Sequence, residues 1–517
     1  MDGKTDRMIL GCDIGNGFGY VSVLTDPQAD PIPLIPTRYS EIAKTGMPTT
    51  AYIAPPDGKN IDVFTNGKPA EVRYRRNPGQ LVRAIKTCFA DGTVNVRQVN
   101  SPVDTGSVYA AIARDLVKLA HEDLADKGMK PACDVVFTFP ASFAEKPVLL
   151  EKMEQSINSV EINGQHLHVC GRLPEPAAAA IDYLHYMQHI APEGIRIQRD
   201  DFTVLVYDLG HGTFDAAVVT ASSGEIPYTL HFNSGDPEVG GKDFDRVLMD
   251  EIMNLLEEES DYVPKTDGEM DEVRRAAVEC KHALTDDESY TVTIRSREDD
   301  GFYELDITRE RFEELSEGLI YRTLTIVSEL LEQAETNNIK IDAVVLSGGG
   351  SRMPMVRKSL EALVEGRYPI TLYRPSEAVS YGAARYGATR VIDQLTDCCY
   401  GIWMPSSEKL EGEVQFCIPC GAKRPARSRT MTFRADDARY SVKVFRAAQK
   451  NRNLETCSPN DDDNCRAVLF IPFDLTPGAL CNVTLTAMEN YDIQVDLKTD
   501  NGEHYTKRTS DALSKIL

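Results

Sequence analysis

The chain has 517 residues, of which 42% are hydrophobic and 26% are charged, so it is long enough for more than one globular domain with a substantial core. The formal net charge of −24 opposes nonspecific attraction to nucleic acid and to anionic membrane surfaces. The acidic beginning MDGKTDRMIL lacks the apolar core of a secretory leader, and no apolar run reaches transmembrane length. We therefore expect a cytoplasmic protein that binds neither nucleic acid nor membrane.

Apolar β-like runs alternate with helical stretches over the first ~390 residues, a pattern typical of α/β folds. Residues 9–24 predict a strand, a glycine-rich turn and a second strand, and residues 204–219 repeat this unit. Such a repeat predicts two related halves. Amphipathic helices are predicted over residues 107–126 and 309–334, the second opened by Thr308 as its N-cap.

The pattern changes after about residue 395, where alternating apolar and polar positions predict an antiparallel β domain. Gly, Pro, Asn and Asp clusters separate these segments. We predict an α/β domain over residues 1–392, a short linker over 393–399, a β domain over 400–505 and a tail over 506–517. One short helix is predicted from Tyr505 to the end of this tail.

The cysteines are unevenly placed, because seven of the 12 lie between Cys398 and Cys481. They include the pair Cys417-Ile-Pro-Cys420, which is half of a zinc site, and no second pair follows at finger spacing. Two interpretations stay open for this region. Buried, reduced thiols are favoured, and redox sensing is the alternative. Residues 457–465 (CSPNDDDNC) are predicted as a polar loop.

The turns of the two strand–turn–strand units carry carboxylates beside glycines. Glycines let backbone N–H groups approach a phosphate, and a carboxylate beside a phosphate requires a cation such as Mg²⁺ between them. The first unit offers Asp13, Gly15, Asn16 and Gly17. The second offers Asp208, Gly210, His211, Gly212, Thr213 and Asp215, and a third glycine loop follows at Gly348, Gly349 and Gly350. Three such loops predict a polyphosphate site.

These motifs resemble the 70-kilodalton heat-shock chaperones, the DnaK-like family of the actin/hexokinase fold. The resemblance covers about residues 9–507 and is carried, in the order of the family, by CDIGNGFG, AIKTCF, VVFTFPASF, RLPEPAAAAIDYL, VYDLGHGTFD, GDPEVGGKDFD, VRRAAVECKHALT, VVLSGGGSRMPMVRK, RPSEAVSYGAA and LFIPFDLTPGALCNVTLTAMENYD. It implies an α/β actin/hexokinase-like ATPase domain with two related lobes, followed by an all-β sandwich domain.

The chemistry that the resemblance implies is hydrolysis of ATP to ADP with Mg²⁺. The catalytic residues implied are Lys86, Glu175, Asp208, Thr213 and Asp215, with Lys86 at the γ-phosphate and its attacking water. The metal would be held, through waters, by Asp13, Glu175 and Asp208. The implied nucleotide contacts are Asp13, Gly15, Asn16, Gly17, Gly210, His211, Gly212, Gly240, Gly241, Lys281, His282, Thr285, Gly348, Gly349, Gly350, Arg352 and Ser376.

The implied partners are extended apolar peptides, a J-domain co-chaperone and a nucleotide exchange factor. The chain departs from the family at Asn16 and Gly17, which stand where two threonines are usual, and at His211, which stands for a glycine. His211 either caps its turn facing solvent or donates to phosphate with a pKa near physiological pH. Residues 390–404 lack the leucine-rich linker run, and we expect no helical lid after the β segment. We therefore expect a lidless chaperone with weak interdomain coupling.

Two alternatives to a chaperone are kept. An actin-like filament protein is suggested by the first loop alone, whose Asp-Ile-Gly-Asn-Gly run resembles the loops of plasmid-segregation filaments. The other alternative is a scaffold that binds nucleotide and partners without an efficient hydrolytic cycle.

Overall fold

The computed structural model describes residues 8–39, 46–144, 146–199, 201–222, 227–260, 262–295, 301–389, 392–396, 398–405, 412–447, 455–461, 465–488 and 492–509. The chain forms two compact units. The first contains residues 1–142, 153–221 and 233–390, and the second contains residues 143–152, 222–232 and 391–517. None of the helices in these described ranges is long and apolar enough to cross a bilayer.

The helices are α1 (Ala70–Arg73), α2 (Ile85–Cys88), α3 (Thr105–Asp126), α4 (Pro147–Asn158), α5 (Glu175–His185), α6 (Gly241–Ser260), α7 (Asp267–Asp286), α8 (Arg309–Thr336), α9 (Pro354–Val364) and α10 (Ala378–Thr389). The strands up to residue 390 are β1 (Ile9–Ile14), β2 (Phe18–Val23), β3 (Ile32–Pro33), β4 (Met47–Pro48), β5 (Ala51–Ile53), β6 (Ile61–Asp62), β7 (Phe64–Thr65), β8 (Lys68–Pro69), β9 (Leu81–Val82), β10 (Thr93–Val94), β11 (Val103–Asp104), β12 (Asp134–Phe139), β13 (Glu161–Ile162), β14 (Gln165–His166), β15 (His168–Pro174), β16 (Phe202–Leu209), β17 (Phe214–Ala221), β18 (Tyr228–Asp236), β19 (Ser289–Arg295), β20 (Phe302–Thr308), β21 (Ala343–Ser347) and β22 (Ile370–Leu372).

The later strands are β23 (Ile392–Gln394), β24 (Cys399–Met404), β25 (Glu413–Ile418), β26 (Ala426–Arg427), β27 (Met431–Arg434), β28 (Arg439–Ala447), β29 (Thr456–Cys457), β30 (Arg466–Asp474), β31 (Leu480–Ala487), β32 (Ile493–Thr499) and β33 (His504–Arg508).

The two long predicted helices are confirmed, and their first residues follow from capping. The N–H of Arg311 donates to Oγ1 of Thr308 at 3.2 Å, which satisfies an orphan donor at the start of α8. Helix α3 begins two residues earlier than predicted, because Asp104 accepts the N–H of Ser107 at 2.7 Å and so acts as its N-cap.

Two mixed sheets of the first unit share one pattern. One sheet has the order β15-β12-β1-β2-β3, and the other contains β22-β21-β16-β17 in this order. In each, an antiparallel hairpin (β1–β2 or β16–β17) is extended by two parallel strands beside its first strand. Each hairpin turn therefore lies at the carboxyl ends of neighbouring parallel strands, where ligands bind in open α/β sheets.

Helix α10 packs closely enough on its neighbours that two glycines are required. A Cβ on Gly382 would overlap the carbonyl of Ala178 in α5, and a Cβ on Gly11 in β1 would overlap the backbone of Ala384 in α10. The absence of these side chains lets α10 lie directly against α5 and β1, which fixes the start of α5 beside the first hairpin.

The second unit is rich in β-strands after residue 391. One of its sheets has the order β29-β25-β24-β28-β30, and another has the order β26-β31-β32-β33, with β27 also paired to β31. One apolar cluster draws on both sheets and includes Ile402, Val444, Ile471, Val483 and Val495. Buried residues thus alternate with more exposed ones along these strands, as the sequence predicts for antiparallel strands that are buried on one face.

The helix predicted from Tyr505 is wrong at its start. His504–Arg508 is a strand that pairs antiparallel with β32, and Tyr505 lies opposite Leu497. Cross-strand pairing has overridden the local helical pattern here. The remainder of that predicted helix, from residue 510, lies outside the described residues.

Candidate active site

The turns of the two hairpins have the same backbone geometry. In the first, the N–H of Gly15 donates to the carbonyl of Phe18 at 3.0 Å, and in the second, the N–H of Gly210 donates to the carbonyl of Thr213 at 3.0 Å. The sequence repeat is therefore a repeat of one tight turn between paired strands.

The strand register places a carboxylate at the same point of each hairpin. Asp13 lies opposite Tyr20, and Asp208 lies opposite Asp215. Asp208 and Asp215 are 5% and 1% exposed, so water can stabilise their charges only weakly.

Lys86 is the buried cation of this site. It lies in the short helix α2, its side chain is 2% exposed, and its Nζ forms an ion pair with Glu175 Oε1 and lies 4.0 Å from Asp13 Oδ1. Glu175 is the first residue of α5, where the helix dipole favours a negative charge. Burial lowers the pKa of Lys86, but Glu175 and then Asp13 raise it, and the net effect is a pKa above the usual value. Lys86 is therefore charged.

The carboxylates repel one another. Burial, reinforced by Glu175, raises the pKa of Asp13 to about 7, although Lys86 and a 3.0 Å hydrogen bond from Thr138 Oγ1 oppose this. Burial and Glu175 also raise the pKa of Asp215 to about 8, against a 2.8 Å hydrogen bond from the hydroxyl of Thr213.

Asp208 shares this environment. Burial first, then Glu175, Asp215 and Asp13, raise its pKa well above the usual value. Four carboxyl groups thus surround Lys86, and the raised pKa values of Asp13, Asp208 and Asp215 indicate an excess of negative charge that a divalent cation would relieve.

The donor set fits Mg²⁺ better than a metal that needs close protein ligands. Oxygen ligands are those that Mg²⁺ prefers, and it commonly keeps several waters. The carboxylate oxygens of Asp13, Glu175 and Asp208 are ligands of this kind, so the site fits a hydrated ion.

The two turns contact one another through Asn16 and His211. Asn16 Oδ1 accepts the backbone N–H of Lys86 at 2.8 Å, and its Nδ2 occupies the space that a side chain on Gly212 would need. A Cβ on Gly17 would lie 3.0 Å from Cγ of His211. Asn16 thus replaces a threonine with a group that ties the first turn to Lys86 and crowds the second turn.

His211 does not stand in open solvent. Its half-buried ring lies against Gly17, and burial, followed by the charge of Lys281, lowers its pKa to about 4. The two alternatives, a turn cap facing solvent and a phosphate donor, both stay predictions, because the ring is half-buried. The near-physiological pKa of the second is corrected, because the lowered pKa leaves the ring neutral at pH 7.

Gly240 and Gly241 bring the start of α6 against the second turn. The N–H of Gly241 donates to the carbonyl of Gly210 at 2.9 Å, and the N–H of Lys242 donates to the carbonyl of His211 at 2.8 Å. A Cβ on Gly240 would overlap the backbone of Gly212. Gly240 is required because two backbones meet there.

The third glycine loop also adjoins the second hairpin. Gly348 has a φ of +76°, and a Cβ there would overlap Oδ1 of Asp208. The space around Gly349 is open to 4 Å, and Gly350 lies against Leu209. Because the hydroxyl of Ser351 accepts the N–H of Leu209 at 3.3 Å, this loop is fixed relative to Asp208.

The predicted base and ribose contacts have other partners. Lys281 Nζ donates to the carbonyl of Gly241 at 3.0 Å and pairs with Asp245 at 2.7 Å. The hydroxyl of Thr285 donates to the carbonyl of Lys281 at 3.1 Å, one turn back in α7. The side chain of His282 is exposed, and partial desolvation, followed by the charge of Lys281, lowers its pKa.

Two predicted nucleotide contacts lie at the other hairpin. Ser376 hydrogen-bonds the hydroxyl of Tyr20 in β2, and Arg352 is exposed and close enough to influence that hydroxyl electrostatically. The structure thus groups the five predicted catalytic residues with Asp13, while Thr285 and Ser376 are engaged elsewhere.

Sequence reasoning missed three supporting residues. Thr138 hydrogen-bonds Asp13, Asp245 pairs with Lys281, and Lys242 Nζ donates to Oγ1 of Thr87 at 2.9 Å. Thr138 lies in the VVFTFPASF segment, and a single polar residue in a predicted buried strand was the signal that could have identified it.

Comparisons with known proteins identify the family of the chain. A family model described as Hsp70 protein matches residues 82–395. The Chaperone protein DnaK of Halobacterium salinarum (strain ATCC 29341 / DSM 671 / R1) is 31% identical over 386 residues, which are 73% of this chain and 55% of that protein. A ribosome-associated molecular chaperone of Saccharomyces cerevisiae is 33% identical over 282 residues, or 54% of this chain and 43% of that protein.

The chain thus spans about half the length of the curated relatives it matches. The Hsp70 domain implies the actin-like ATPase fold, and its family binds nucleotide, typically with Mg²⁺. Because the family match covers more than half of the chain and includes Lys86, Glu175 and Asp208, the chain belongs to the Hsp70 family of heat-shock chaperones.

Proposed function

We propose that this protein is an ATP-dependent chaperone of the DnaK-like type. Its nucleotide-binding domain, residues 1–392, would bind and hydrolyse ATP, and a β sandwich over residues 400–505 would hold extended apolar peptides. The observation that carries the proposal is the buried Lys86, paired with Glu175 among the carboxylates of two related hairpins.

The proposed hydrolysis depends on positioned charge. Lys86 would contact the γ-phosphate, because it is charged and held by Asn16 from the first turn. Asp13, Glu175 and Asp208 would hold Mg²⁺ through waters. Bound Mg²⁺ would neutralise phosphate charge as it develops. Asp208 or Asp215 would orient the attacking water, and either can take its proton because its pKa is raised.

Thr213 would exchange partners on binding. Its hydroxyl donates to Asp215 at 2.8 Å, and rotation of that hydroxyl would direct it to the γ-phosphate. The amides of Gly15 and Gly210 are used within their own turns. Phosphate would therefore accept hydrogen bonds from the other backbone N–H groups of the turns, and these donors would form a concave anion-binding site.

ATP turnover in variants tests this proposal. Lys86→Ala and Asp208→Asn are each expected to keep nucleotide binding and to lower turnover by ~10²-fold or more, since each removes a preorganised charge at the reacting group. Asp126→Asn, at an exposed carboxylate paired with Arg38, is the matched control and should leave turnover unchanged. Turnover of either site variant within a factor of about two of the parent would contradict the assignment.

The peptide-holding part rests on the β-rich region. Its strands enclose one apolar cluster and leave large apolar side chains such as Phe470, which is 49% exposed, at the surface. Fluorescence anisotropy of a labelled apolar peptide is expected to show saturable binding, with a charged peptide of the same length as control. A J-domain protein and an exchange factor, proposed as partners, should accelerate turnover and ADP release.

A nucleotide-binding scaffold without an efficient cycle is the second candidate. The observation that favours it is the contact between the two turns, where Asn16 crowds Gly212 and the ring of His211 lies against Gly17. A polyphosphate must fit beside these side chains. Tight ATP binding with no phosphate release above that of the Lys86→Ala variant would support the scaffold and exclude the chaperone cycle.

A further inference from the structure

Two cysteines meet beside the first sheet of the β-rich region, at a place that the nucleotide site does not use. Cys457 ends β29, which is one edge strand of this sheet, and Cys465 directly precedes β30, which is the other edge strand. Both pack in a small apolar cluster with Cys399, Val414 and Phe445, among others.

The two thiols are in contact. The Sγ of Cys457 donates to the Sγ of Cys465 at 2.7 Å, whereas a disulfide bond is about 2.05 Å long. The sulfurs would therefore have to approach by less than ~1 Å to bond. We propose that Cys457 and Cys465 form a reversible intramolecular disulfide that closes residues 457–465 and joins the two edge strands of the sheet.

The Cys417-Ile-Pro-Cys420 motif, by contrast, does not form such a pair. The Cys417 thiol donates to the carbonyl of Tyr400 at 3.5 Å, and the Cys420 thiol donates to the carbonyl of Thr396 at 3.5 Å. Each thiol is engaged with a different backbone carbonyl. The redox interpretation therefore applies to Cys457 and Cys465, the two ends of the CSPNDDDNC segment, and not to the Cys417-Ile-Pro-Cys420 motif.

A metal site is not the better interpretation of the cluster. Cys399 accepts the N–H of Cys420 at 3.3 Å, so these cysteines are linked through a backbone group. Within the described part of the chain, no three cysteine, histidine or carboxylate side chains are placed to share an ion. Two thiols in direct contact are instead the arrangement for disulfide chemistry.

The reaction is an exchange with a small-molecule disulfide. Cys457 is half-buried and Cys465 is 3% exposed, so Cys457 is the thiol that the oxidant reaches. The Cys457 thiolate attacks one sulfur of the oxidant and releases one thiol. The Cys465 thiolate then attacks Sγ of Cys457 and releases the second thiol. Two protein thiols are oxidised, one disulfide is reduced, and the two thiol protons end on the two released molecules.

The rate should depend steeply on pH. Burial, with the hydrogen bond and the charge of Cys465, raises the pKa of Cys457 to about 12. Because the thiolate is the attacking species, its fraction and the oxidation rate should rise about tenfold for each pH unit from 6 to 9. The disulfide is thus expected to form slowly at neutral pH and rapidly at alkaline pH.

The sequence offers a direct assay. Arg452 and Arg466 flank the pair, so trypsin releases both cysteines in one peptide, residues 453–466, that contains no other cysteine. The full chain is incubated at pH 8 with oxidised glutathione, quenched in acid, alkylated and digested. We expect the mass of this peptide to be lower by two hydrogens, with no alkyl group on either cysteine. Treatment with dithiothreitol should restore both thiols. Cleavage before Asp461 should leave its two halves joined.

Variants distinguish formation of the Cys457–Cys465 disulfide from oxidation of an exposed thiol alone. In Cys465→Ser, Cys457 should accumulate as the mixed disulfide with glutathione, because the second thiol is gone. Cys481→Ser, at a buried cysteine in the other core cluster, is the matched control and should leave closure unchanged. Glutathione retained on Cys457 of the parent, a disulfide between two chains, or both cysteines alkylated after prolonged incubation would each overturn the proposal.

Discussion

Asp13→Asn should make the nucleotide-free protein more stable at pH 8. The substitution keeps the size of the side chain, and the amide oxygen can still accept the 3.0 Å hydrogen bond from Thr138. It removes one charge from a buried group that already contains Glu175, Asp208 and Asp215. A site built for a cation is costly to keep folded without it, so the variant loses function and gains stability.

The sign follows from proton binding. Asp13 has a pKa of about 7 when folded, against about 3.9 in an unfolded chain. Between these values the folded state holds a proton that the unfolded state has released. The contribution of Asp13 to the free energy of unfolding is therefore fully present below pH 4, falls by up to about 1.4 kcal/mol per pH unit as the pH rises, and is lost once the pH has risen through 7. An asparagine side chain does not titrate, so Asp13→Asn should remove the part of the slope that Asp13 contributes, while the raised pKa values of Asp208 and Asp215 leave the rest.

Urea unfolding at pH 5.5 and pH 8, with a chelator and without nucleotide, measures the effect. Circular dichroism is the appropriate signal, because the single tryptophan, Trp403, lies in the second unit. Asp115→Asn is the matched control. Oδ1 of Asp115 pairs with Arg114 at 2.7 Å, and its Oδ2 accepts the N–H groups of Val63 and Phe64 at 3.3 and 3.0 Å, so loss of this well-partnered charge should destabilise by about 1–3 kcal/mol.

The refuting outcomes are definite. A difference in unfolding free energy between pH 5.5 and pH 8 that is as large in Asp13→Asn as in the parent would show that Asp13 is not a proton-binding group in the folded state. An Asp13→Asn variant no more stable than the parent at pH 8 would show that the carboxylates are not in electrostatic conflict. Added Mg²⁺ and ATP should narrow the difference between the parent and the variant, because they stabilise the parent selectively.

Three further predictions concern the turns. The affinity for ATP, measured by calorimetry, should be flat from pH 5.5 to 8 because the pKa of His211 is lowered to about 4; a loss of affinity near pH 6.5 that disappears in His211→Gly would contradict this. Gly240→Ala should weaken ATP binding by ~10-fold or more, since its Cβ would meet the backbone of Gly212. Gly318→Ala is the control and should leave the affinity unchanged, because nothing lies within 4 Å of its Cβ. Equal ATP affinities of the two variants would show that the backbones at Gly240 and Gly212 can separate. Asn16→Ala should lower kcat more than it raises KM in steady-state kinetics, because the lost 2.8 Å hydrogen bond positions Lys86; a change in KM alone would assign Asn16 to binding.

The sequence by itself determined the features that depend on neighbouring residues. Helix α8 follows from the apolar spacing of residues 309–334 and from Thr308, whose hydroxyl caps the residue three positions on. The two hairpins follow from their glycine turns and apolar arms, because a tight turn sets the register of the strands it joins. The family motifs are also contiguous segments, so they could be recognised without coordinates.

Only the tertiary structure decided the features that join distant residues. Lys86 and Glu175 are 89 positions apart, and Asp13 and Thr138 are 125 apart, so no local pattern could show which polar group satisfies which. The predicted helix at Tyr505 failed for the same reason, since its strand is stabilised by pairing with β32. Burial decides the charge states of these groups, because a carboxylate or imidazole far from water is ionised only when a partner compensates it. The pKa shifts of Asp13 and His211, and the contact of Cys457 with Cys465, exist only once folding has removed water and brought these partners together.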